Sequence, residues 1–189
     1  MDLIHTANQP IGPFYHFALT PGWETGDNSA GIMAGPDARG ERGRVVVRVL
    51  DRDGSPVTNA MIELWQADAG GKYNHPADKQ EKAPDPAFHG FGRLATDDQG
   101  LCVFETVKPG QVQSQAPHIN VSVYAPGLLR RAVTRIYFAG DPANESDEIL
   151  SLVPEDRRPT LLARQGAEAG EWRFDLHLTG PCETVFFDV

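Results

Sequence analysis

The sequence predicts an all-β fold class, namely an antiparallel β-sandwich with long loops, an extended N-terminal arm and one or two short helices. Short runs of β-branched and aromatic residues recur along most of the 189-residue chain, as is typical of strands. Turns that close on glycine follow several of these runs, and helical periodicity is scarce. Many short strands separated by turns favour a sandwich.

The strand pattern begins near residue 45 and continues almost to the end of the sequence. Predicted strands lie at 45–50, 61–66, around 93–95, 102–106, 119–124, 133–138, 172–178 and 183–187. The segments 51–54 and 97–100 each end in glycine, which supplies the positive φ that a tight turn needs. Residues 172–178 alternate cleanly between apolar and polar, which indicates a strand with one buried face.

Helical and loop signals are confined to three regions. Asn144 is a good N-cap residue with acidic residues in the turn after it, which predicts one short helix ending near Leu152. Residues 68–90 are polar and interrupted by proline, and a loop of this length is expected to serve a site or an interface. Residues 1–40, rich in Gly, Pro and polar residues, are predicted to form an arm, and 41–189 a single domain.

Composition excludes several classes of function. The net charge of −9 disfavours nucleic-acid binding, which needs a basic face, and an anionic substrate would need a local basic pocket. The two cysteines have no zinc-type spacing and are expected to be free thiols. We expect no secretory signal in residues 1–6 and no membrane span of about 20 apolar residues, hence a cytoplasmic location.

Four sequence blocks carry a family resemblance. They occur in the order WQADAGGKY at 65–73, FGR at 91–93 with TVKPG at 106–110, APHINVSV at 116–123 and TRIYF at 134–138. Together they resemble the intradiol ring-cleaving dioxygenases, and the match covers roughly residues 8 to 189. The resemblance implies a β-sandwich fold and oxidative cleavage of a small aromatic substrate.

The resemblance also implies where iron ligands would stand. Members of this family hold Fe(III) with two tyrosines and two histidines. Tyr73 and His118 match two of these positions, whereas Val112 replaces the second tyrosine and Asn120 the second histidine. Gln115 stands where the family has an arginine, so the positive charge is expected to be lost as well. Two protein ligands are too few for a tight ferric site, so we expect no metal and no catalytic residue in this chain.

The resemblance is strongest to the iron-free chain of a two-chain member of the family. It implies a partner chain that carries the Fe(III), a higher-order assembly of both chains, and a small aromatic acid as substrate. The arm is then expected to line the partner's substrate pocket through Gly12 and Pro13, with Pro10 and Phe14 as neighbours. Glycine permits close backbone approach and proline gives a rigid apolar wall. An ordinary turn is the alternative interpretation of Gly12 and Pro13.

Positive charge for the substrate carboxylate is expected from a second segment. The family's iron-free chain has an arginine near the pocket, just after the strand that follows the His-x-Asn motif, but Pro126 stands at that position here. Arg130 or Arg131 is the candidate replacement.

Two other functions remain open from the sequence. The chain could be a self-sufficient dioxygenase that forms a homo-oligomer with an altered metal set, in which case the purified chain would contain iron. Alternatively, it could be a β-sandwich binding module without a catalytic partner. Such a module would form a stable monomer or homodimer.

Overall fold

The computed structural model describes residue 12 and residues 14–188, and it confirms that the chain is mostly β. Eight strands are found in this part of the chain: β1 Arg42–Leu50, β2 Met61–Gln66, β3 Phe91–Ala95, β4 Leu101–Val107, β5 His118–Tyr124, β6 Ala132–Phe138, β7 Leu162–Gln165 and β8 Glu171–His177. One short α-helix, α1, spans Tyr15–Leu19, and 3₁₀ turns span Trp23–Thr25, Ser29–Gly31, Pro142–Ser146, Leu150–Leu152 and Arg158–Leu161. None of the described helices has the length and apolar character needed to cross a membrane.

The strands form one sheet in the order β3-β2-β5-β6-β7-β8-β1-β4. Neighbouring strands are antiparallel except for the pairs β1–β8 and β6–β7. The two strands at the ends of this order, β3 and β4, are consecutive in the chain and contact each other, so the sheet nearly closes on itself. As a result β2, β3, β5 and β6 form one layer that faces β1, β4 and β8.

A single hydrophobic core fills the space between the layers. Alternate residues of each strand point inward, as the two-residue period of a strand requires. The inward set includes Val45, Val47, Val49, Ile62, Leu64, Phe104, Val121, Val123, Ile136, Phe138, Phe174 and Leu176. A buried polar contact also joins the layers, because the Gln66 amide donates to the Val107 carbonyl (2.9 Å) and accepts from the Thr106 hydroxyl (3.0 Å).

The outer face of β2, β5 and β6 carries the side chains that matter for function. The strand register places Trp65 opposite Asn120 and Asn120 opposite Arg135. It also places His118 opposite Tyr137. Residues that are far apart in sequence therefore share one surface near the C-terminal end of β2.

Two secondary-structure predictions need correction. Residues 183–187 do not form a strand, because their pairing to β6 is limited to an isolated bridge between Phe187 and Val133. The predicted helix from Asn144 to Leu152 is instead two separate 3₁₀ turns, Pro142–Ser146 and Leu150–Leu152. The first is capped by Asp141, and the intervening Asp147 carboxylate accepts from the backbone N–H groups of Ile149 and Leu150. These backbone groups are therefore unavailable for a continuous helix.

The predicted arm is partly packed against the domain. Met33 is fully buried in the core, and Ala34 pairs with Phe88. Earlier in the chain, α1 is held through the hydroxyl of Tyr15 and Nε2 of His16, which both contact the Asn59 carbonyl. The division into 1–40 and 41–189 stays a prediction.

Candidate functional site, a degenerate metal centre

The two retained ligand positions lie together with one of the replaced positions. The Tyr73 hydroxyl is 3.4 Å from Nε2 of His118, and Nδ2 of Asn120 donates to that hydroxyl at 3.1 Å. Nδ1 of His118 is 2.8 Å from the Ala116 carbonyl, which can only accept a hydrogen bond. Nδ1 therefore carries the proton of the neutral ring, and Nε2 accepts from Tyr73. The Tyr73 hydroxyl therefore links His118 and Asn120 in one chain of hydrogen bonds.

Tyr73 is positioned by the folding of its own loop. The Asp78 carboxylate accepts from the Tyr73 backbone N–H at 2.9 Å and forms an ion pair with Lys72 at 3.0 Å. Lys72 also donates to the carbonyls of Asp78 and Gln80. Burial raises the pKa of Asp78, but hydrogen bonds from the backbone of Gln80 and Tyr73 and from Lys72 outweigh it and hold that pKa far below its ordinary value. On its other side the Tyr73 ring stacks on Trp65, with centroids 5.7 Å apart.

Val112 faces the same space as Tyr73 but offers no ligand. The pair Val112 and Gln115 closes a tight turn with reciprocal backbone hydrogen bonds of 3.2 and 2.9 Å. Just before this turn, the backbone of Gln111 packs closely against the backbone of Gly71. A Cβ on Gly71 would lie only 1.9 Å from the Gln111 carbonyl oxygen. Val112 and Tyr73 border an open depression of about 420 Å³. The framework of the site is thus intact although an apolar side chain stands where a ligand is expected.

Gln115 is neutral, but the structure brings a cation from another strand into contact with it. Arg135, on β6, donates from one terminal nitrogen to Oε1 of Gln115 at 3.0 Å and to the Tyr137 hydroxyl at 3.4 Å. Sequence reasoning did not identify Arg135. The available signal was its alternation with Tyr137 on the outward face of a predicted strand.

A buried carboxylate fixes the segment that leads to His118. Asp147 is fully buried and accepts from the Ala116 N–H at 2.7 Å and from the Tyr137 hydroxyl at 3.1 Å. It also accepts from the N–H groups of Ile149 and Leu150 at 2.9 and 2.6 Å. Asp147 therefore joins β6, the 3₁₀ turn Leu150–Leu152 and the segment immediately before β5.

Burial sets the ionisation of the two retained residues. The His118 side chain is 2% exposed, so burial lowers its pKa, and the nearby Arg135 charge acts in the same direction. Burial raises the pKa of Tyr73, although the Asn120 hydrogen bond and Arg135 oppose the shift. At neutral pH both side chains are uncharged, so the Tyr73 hydroxyl can donate a hydrogen bond to Nε2 of His118.

These residues do not fit the ferric centre that the resemblance implies. Such a centre needs anionic oxygen ligands together with imidazoles. Here the imidazole lone pair is engaged by a neutral phenol, and the third group, Asn120, presents its amide N–H₂ rather than a ligand atom. In the described part of the chain, no group of three or more His, Cys, Asp or Glu side chains is arranged to hold a metal ion.

Of the predicted pocket-lining residues, the structure describes Gly12 and Phe14, which lie outside this hydrogen-bonded group. Pro10 and Pro13 are outside the described residues. Gly12 is exposed, and a Cβ there would meet nothing within 4 Å. Phe14 is 74% exposed and stacks on Phe17, which is 63% exposed, with ring centroids 6.1 Å apart.

The predicted basic residues lie near the same end of the sheet as the arm. Arg130 forms an exposed ion pair with Asp188 at 2.9 Å, and Arg131 borders the same groove of about 520 Å³. Both arginines immediately precede β6, while α1 contacts Asn59 immediately before β2. Asn59 and Trp65 are six residues apart, which corresponds to about 20 Å along an extended chain. The predicted site residues that the structure describes therefore form two groups at opposite ends of β2.

Comparison with known proteins places these observations in context. The family model described as Dioxygenase matches residues 12–180. The chain is 42% identical to the protocatechuate 3,4-dioxygenase alpha chain of Burkholderia cepacia, covering 99% of this chain and 98% of that one. It is 38% identical to the beta chain from the same organism, over 75% of this chain and 66% of that one. Among solved structures, the dioxygenase domain of a dioxygenase and carbohydrate-binding protein fusion from Streptomyces sp. SirexAA-E matches with a TM-score of 0.62 and 29% identity, covering 79% of this chain and 87% of that one.

Proposed function

This chain belongs to the intradiol ring-cleaving dioxygenase family, and from that membership we propose that it is the α chain of a protocatechuate 3,4-dioxygenase. The proposal is supported by the 42% identity to an alpha chain over nearly the whole of both sequences. The enzyme converts protocatechuate and dioxygen to 3-carboxy-cis,cis-muconate, a step of aromatic degradation by the β-ketoadipate pathway. A cytoplasmic location is part of the same proposal.

The hydrogen-bonded chain of Tyr73, His118 and Asn120 is the observation that supports placing the iron in the partner chain. The phenol and the imidazole bind each other at 3.4 Å, and Val112 adds no donor atom. In this proposal the Fe(III) is therefore held by the β chain, where it acts as a Lewis acid on the bound catechol. The α chain contributes shape and charge to the assembled enzyme.

The arm is the part of this chain best suited to reach another subunit's pocket. Phe14 and Phe17 are exposed, and α1 is attached about 20 Å from this chain's own degenerate centre. Large exposed aromatic side chains are typical of protein interfaces. Gly12 and the neighbouring Pro10 and Pro13 would then lie against the substrate of the β chain.

Arg130 and Arg131 are the proposed source of positive charge for the substrate carboxylate. They lie near the end of the layer that carries α1, and Arg130 is already paired with a carboxylate in the isolated chain. A guanidinium binds a carboxylate through two parallel hydrogen bonds. In a chain with a net charge of −9, such a local cation is needed to offset long-range repulsion of an anionic substrate.

The first experiment compares this chain expressed alone with the chain coexpressed with a β chain that has the full set of two tyrosines and two histidines. Iron content and protocatechuate cleavage are measured in both preparations. We expect iron and activity in the coexpressed complex only. Iron near one atom per chain in the solo preparation would contradict the proposal and favour a self-sufficient homo-oligomer. Failure to associate with the β chain would favour a binding module.

A second experiment tests the arm. Phe14→Ala in the assembled enzyme is expected to raise KM for protocatechuate about tenfold, equivalent to ~1.4 kcal/mol of lost binding, with the iron content unchanged. Leu152→Ala is the matched control, since Leu152 is an exposed apolar residue (78%) that lies outside the arm, in the 3₁₀ turn Leu150–Leu152. Equal KM values for the two variants would contradict the proposal that the arm lines the substrate pocket.

A further inference from the structure

We propose that Arg130 is the residue of this chain that binds the substrate carboxylate, and that Asp188 is an internal carboxylate that competes for the same guanidinium. The inference rests on the proposed function, in which Arg130 or Arg131 supplies that charge. It goes further because it chooses between the two arginines and because it names a group on this chain that weakens substrate binding. The ligand class that fits is a small aromatic carboxylate.

The structure shows Arg130 with a carboxylate already bound. One terminal nitrogen of Arg130 donates to Oδ1 of Asp188 at 2.9 Å, and the two side chains are 69% and 83% exposed. An ion pair this exposed contributes little to stability, because water and salt screen it and both side chains lose conformational freedom. Asp188 therefore occupies the position of a carboxylate ligand without being held tightly there.

Arg131 belongs to a different group of polar side chains. The β5–β6 register pairs Val123 with Ala132, and its continuation places Arg131 opposite Tyr124. The Tyr124 hydroxyl accepts a hydrogen bond from Arg131 and donates one to Oε2 of Glu63 at 3.2 Å. This arginine is therefore engaged on the outer face of β2 and β5, whereas the preceding one faces the C-terminal segment.

The groove beside Arg130 has the walls that an aromatic ring needs. Its volume of about 520 Å³ lies in the range typical of small-molecule sites. Apolar side chains border it together with the arginines, among them Leu128, Val133, Phe186 and Phe187. Both phenylalanines are half-buried, so this wall exists before a ligand arrives. An apolar wall beside a guanidinium suits an aromatic carboxylate better than a small inorganic anion.

Backbone contacts, rather than the ion pair, keep Asp188 close to Arg130. The Phe187 N–H donates to the Val133 carbonyl at 2.8 Å, and one residue along β6 a threonine hydroxyl donates to the Val185 carbonyl at 2.7 Å. The Asp188 carboxylate can therefore leave the guanidinium while its segment stays attached to β6. A substrate carboxylate that forms two parallel hydrogen bonds, and whose ring contacts the apolar wall, would displace it.

The groove and the arm lie at the same end of the sheet. Met61 pairs with Tyr124, and α1 contacts Asn59, two residues before Met61. Since Arg131 continues the register opposite Tyr124, the groove borders the end of β2 to which α1 is attached. A single partner pocket would therefore be bordered by both features.

The test measures steady-state kinetics of the assembled enzyme with protocatechuate. Asp188→Asn removes the competing charge and is expected to lower KM about threefold with kcat unchanged, as the small free energy of an exposed ion pair implies. Arg130→Gln is expected to raise KM about tenfold, and Arg131→Gln to raise it less. Adding Asp188→Asn to Arg130→Gln should change nothing further, because the group for which Asp188 competes is gone. Asp156→Asn is the matched control, since Asp156 is exposed and does not border the groove.

Two inhibitors test whether the carboxylate is the group that is recognised. 4-Hydroxybenzoate and phenol share a ring and a hydroxyl and differ in the carboxylate. Asp188→Asn should lower the inhibition constant of 4-hydroxybenzoate about threefold and leave that of phenol unchanged. The iron content of each variant is measured in parallel, so that a loss of iron from the β chain is not mistaken for a loss of recognition.

Three results would overturn the inference. An unchanged KM in Asp188→Asn, or an equal change for phenol, would show that Asp188 does not compete with the substrate carboxylate. A larger rise in KM for Arg131→Gln than for Arg130→Gln would assign recognition to the other arginine. Separation of the chains in Arg130→Gln would show that a carboxylate of the β chain is its ligand. None of these results touches the proposed function, which depends on iron and activity in the wild-type chain expressed with and without the β chain.

Discussion

Replacing Asp147 with asparagine tests the anchor that holds the His118 segment. One carboxylate oxygen accepts from the Ala116 N–H, while the other accepts from Tyr137, Ile149 and Leu150. An asparagine that keeps the second set must turn its NH₂ group toward the Ala116 N–H, which places two donors face to face. A hydrogen bond to a buried charge contributes about 1.5–3 kcal/mol, and the remaining three bonds also lose their charge.

We therefore expect Asp147→Asn to lower the free energy of unfolding by about 3–4 kcal/mol. For a chain of this size that corresponds to a fall in Tm of about 10 °C. Thermal and urea denaturation of the assembled protein measure it, with Asp156→Asn as an exposed control expected to change stability by less than about 0.5 kcal/mol. A loss below about 1 kcal/mol for Asp147→Asn would refute the reasoning that these four hydrogen bonds hold the segment.

Three further predictions follow from single residues. Gly71→Ala should cost at least about 2 kcal/mol in urea denaturation, because Gly71 has a φ of 72° and a Cβ would meet the Gln111 carbonyl. Because the folded pKa of Asp78 is depressed, its contribution to stability is fully present above the unfolded carboxyl pKa and is lost as the pH falls through the folded pKa. Unfolding measured from pH 7 to pH 3 should show the beginning of this loss, and Asp78→Asn should reduce it. Exposed Cys182 should react with a thiol reagent in the folded protein, whereas buried Cys102, whose pKa is raised by burial, should react only after denaturation.

The sequence predicts the strands well because their signal is local. β2 is found at its predicted bounds, since alternating apolar residues and flanking turns define it without reference to other segments. The short strand β7 was missed because it has only four residues and depends on pairing with β6 and β8. Residues 183–187 have strand-like composition, yet they lack a continuous partner strand.

The site shows the same division between local and non-local information. Tyr73, His118 and Asn120 were identified from motifs, and the structure brings all three together. The role of Arg135 could not be inferred from its motif, because it depends on the cross-strand register and on the 3.0 Å contact with Gln115. Side chains whose function is set by tertiary neighbours are the ones that a linear pattern leaves undetermined.

The separation of the two groups of site residues explains how this chain could lose one function and keep another. The degenerate centre lies at the C-terminal end of β2, whereas α1 is attached at Asn59, about 20 Å away. Substitutions that far apart with no shared partners have nearly additive effects on stability. Losing a ligand at position 112 or 120 would therefore leave the arm undisturbed, provided that the polar groups left in the centre still find hydrogen-bond partners. These polar groups find partners without a metal ion. The Tyr73 hydroxyl bonds to His118 and Asn120, and Gln115 accepts from Arg135.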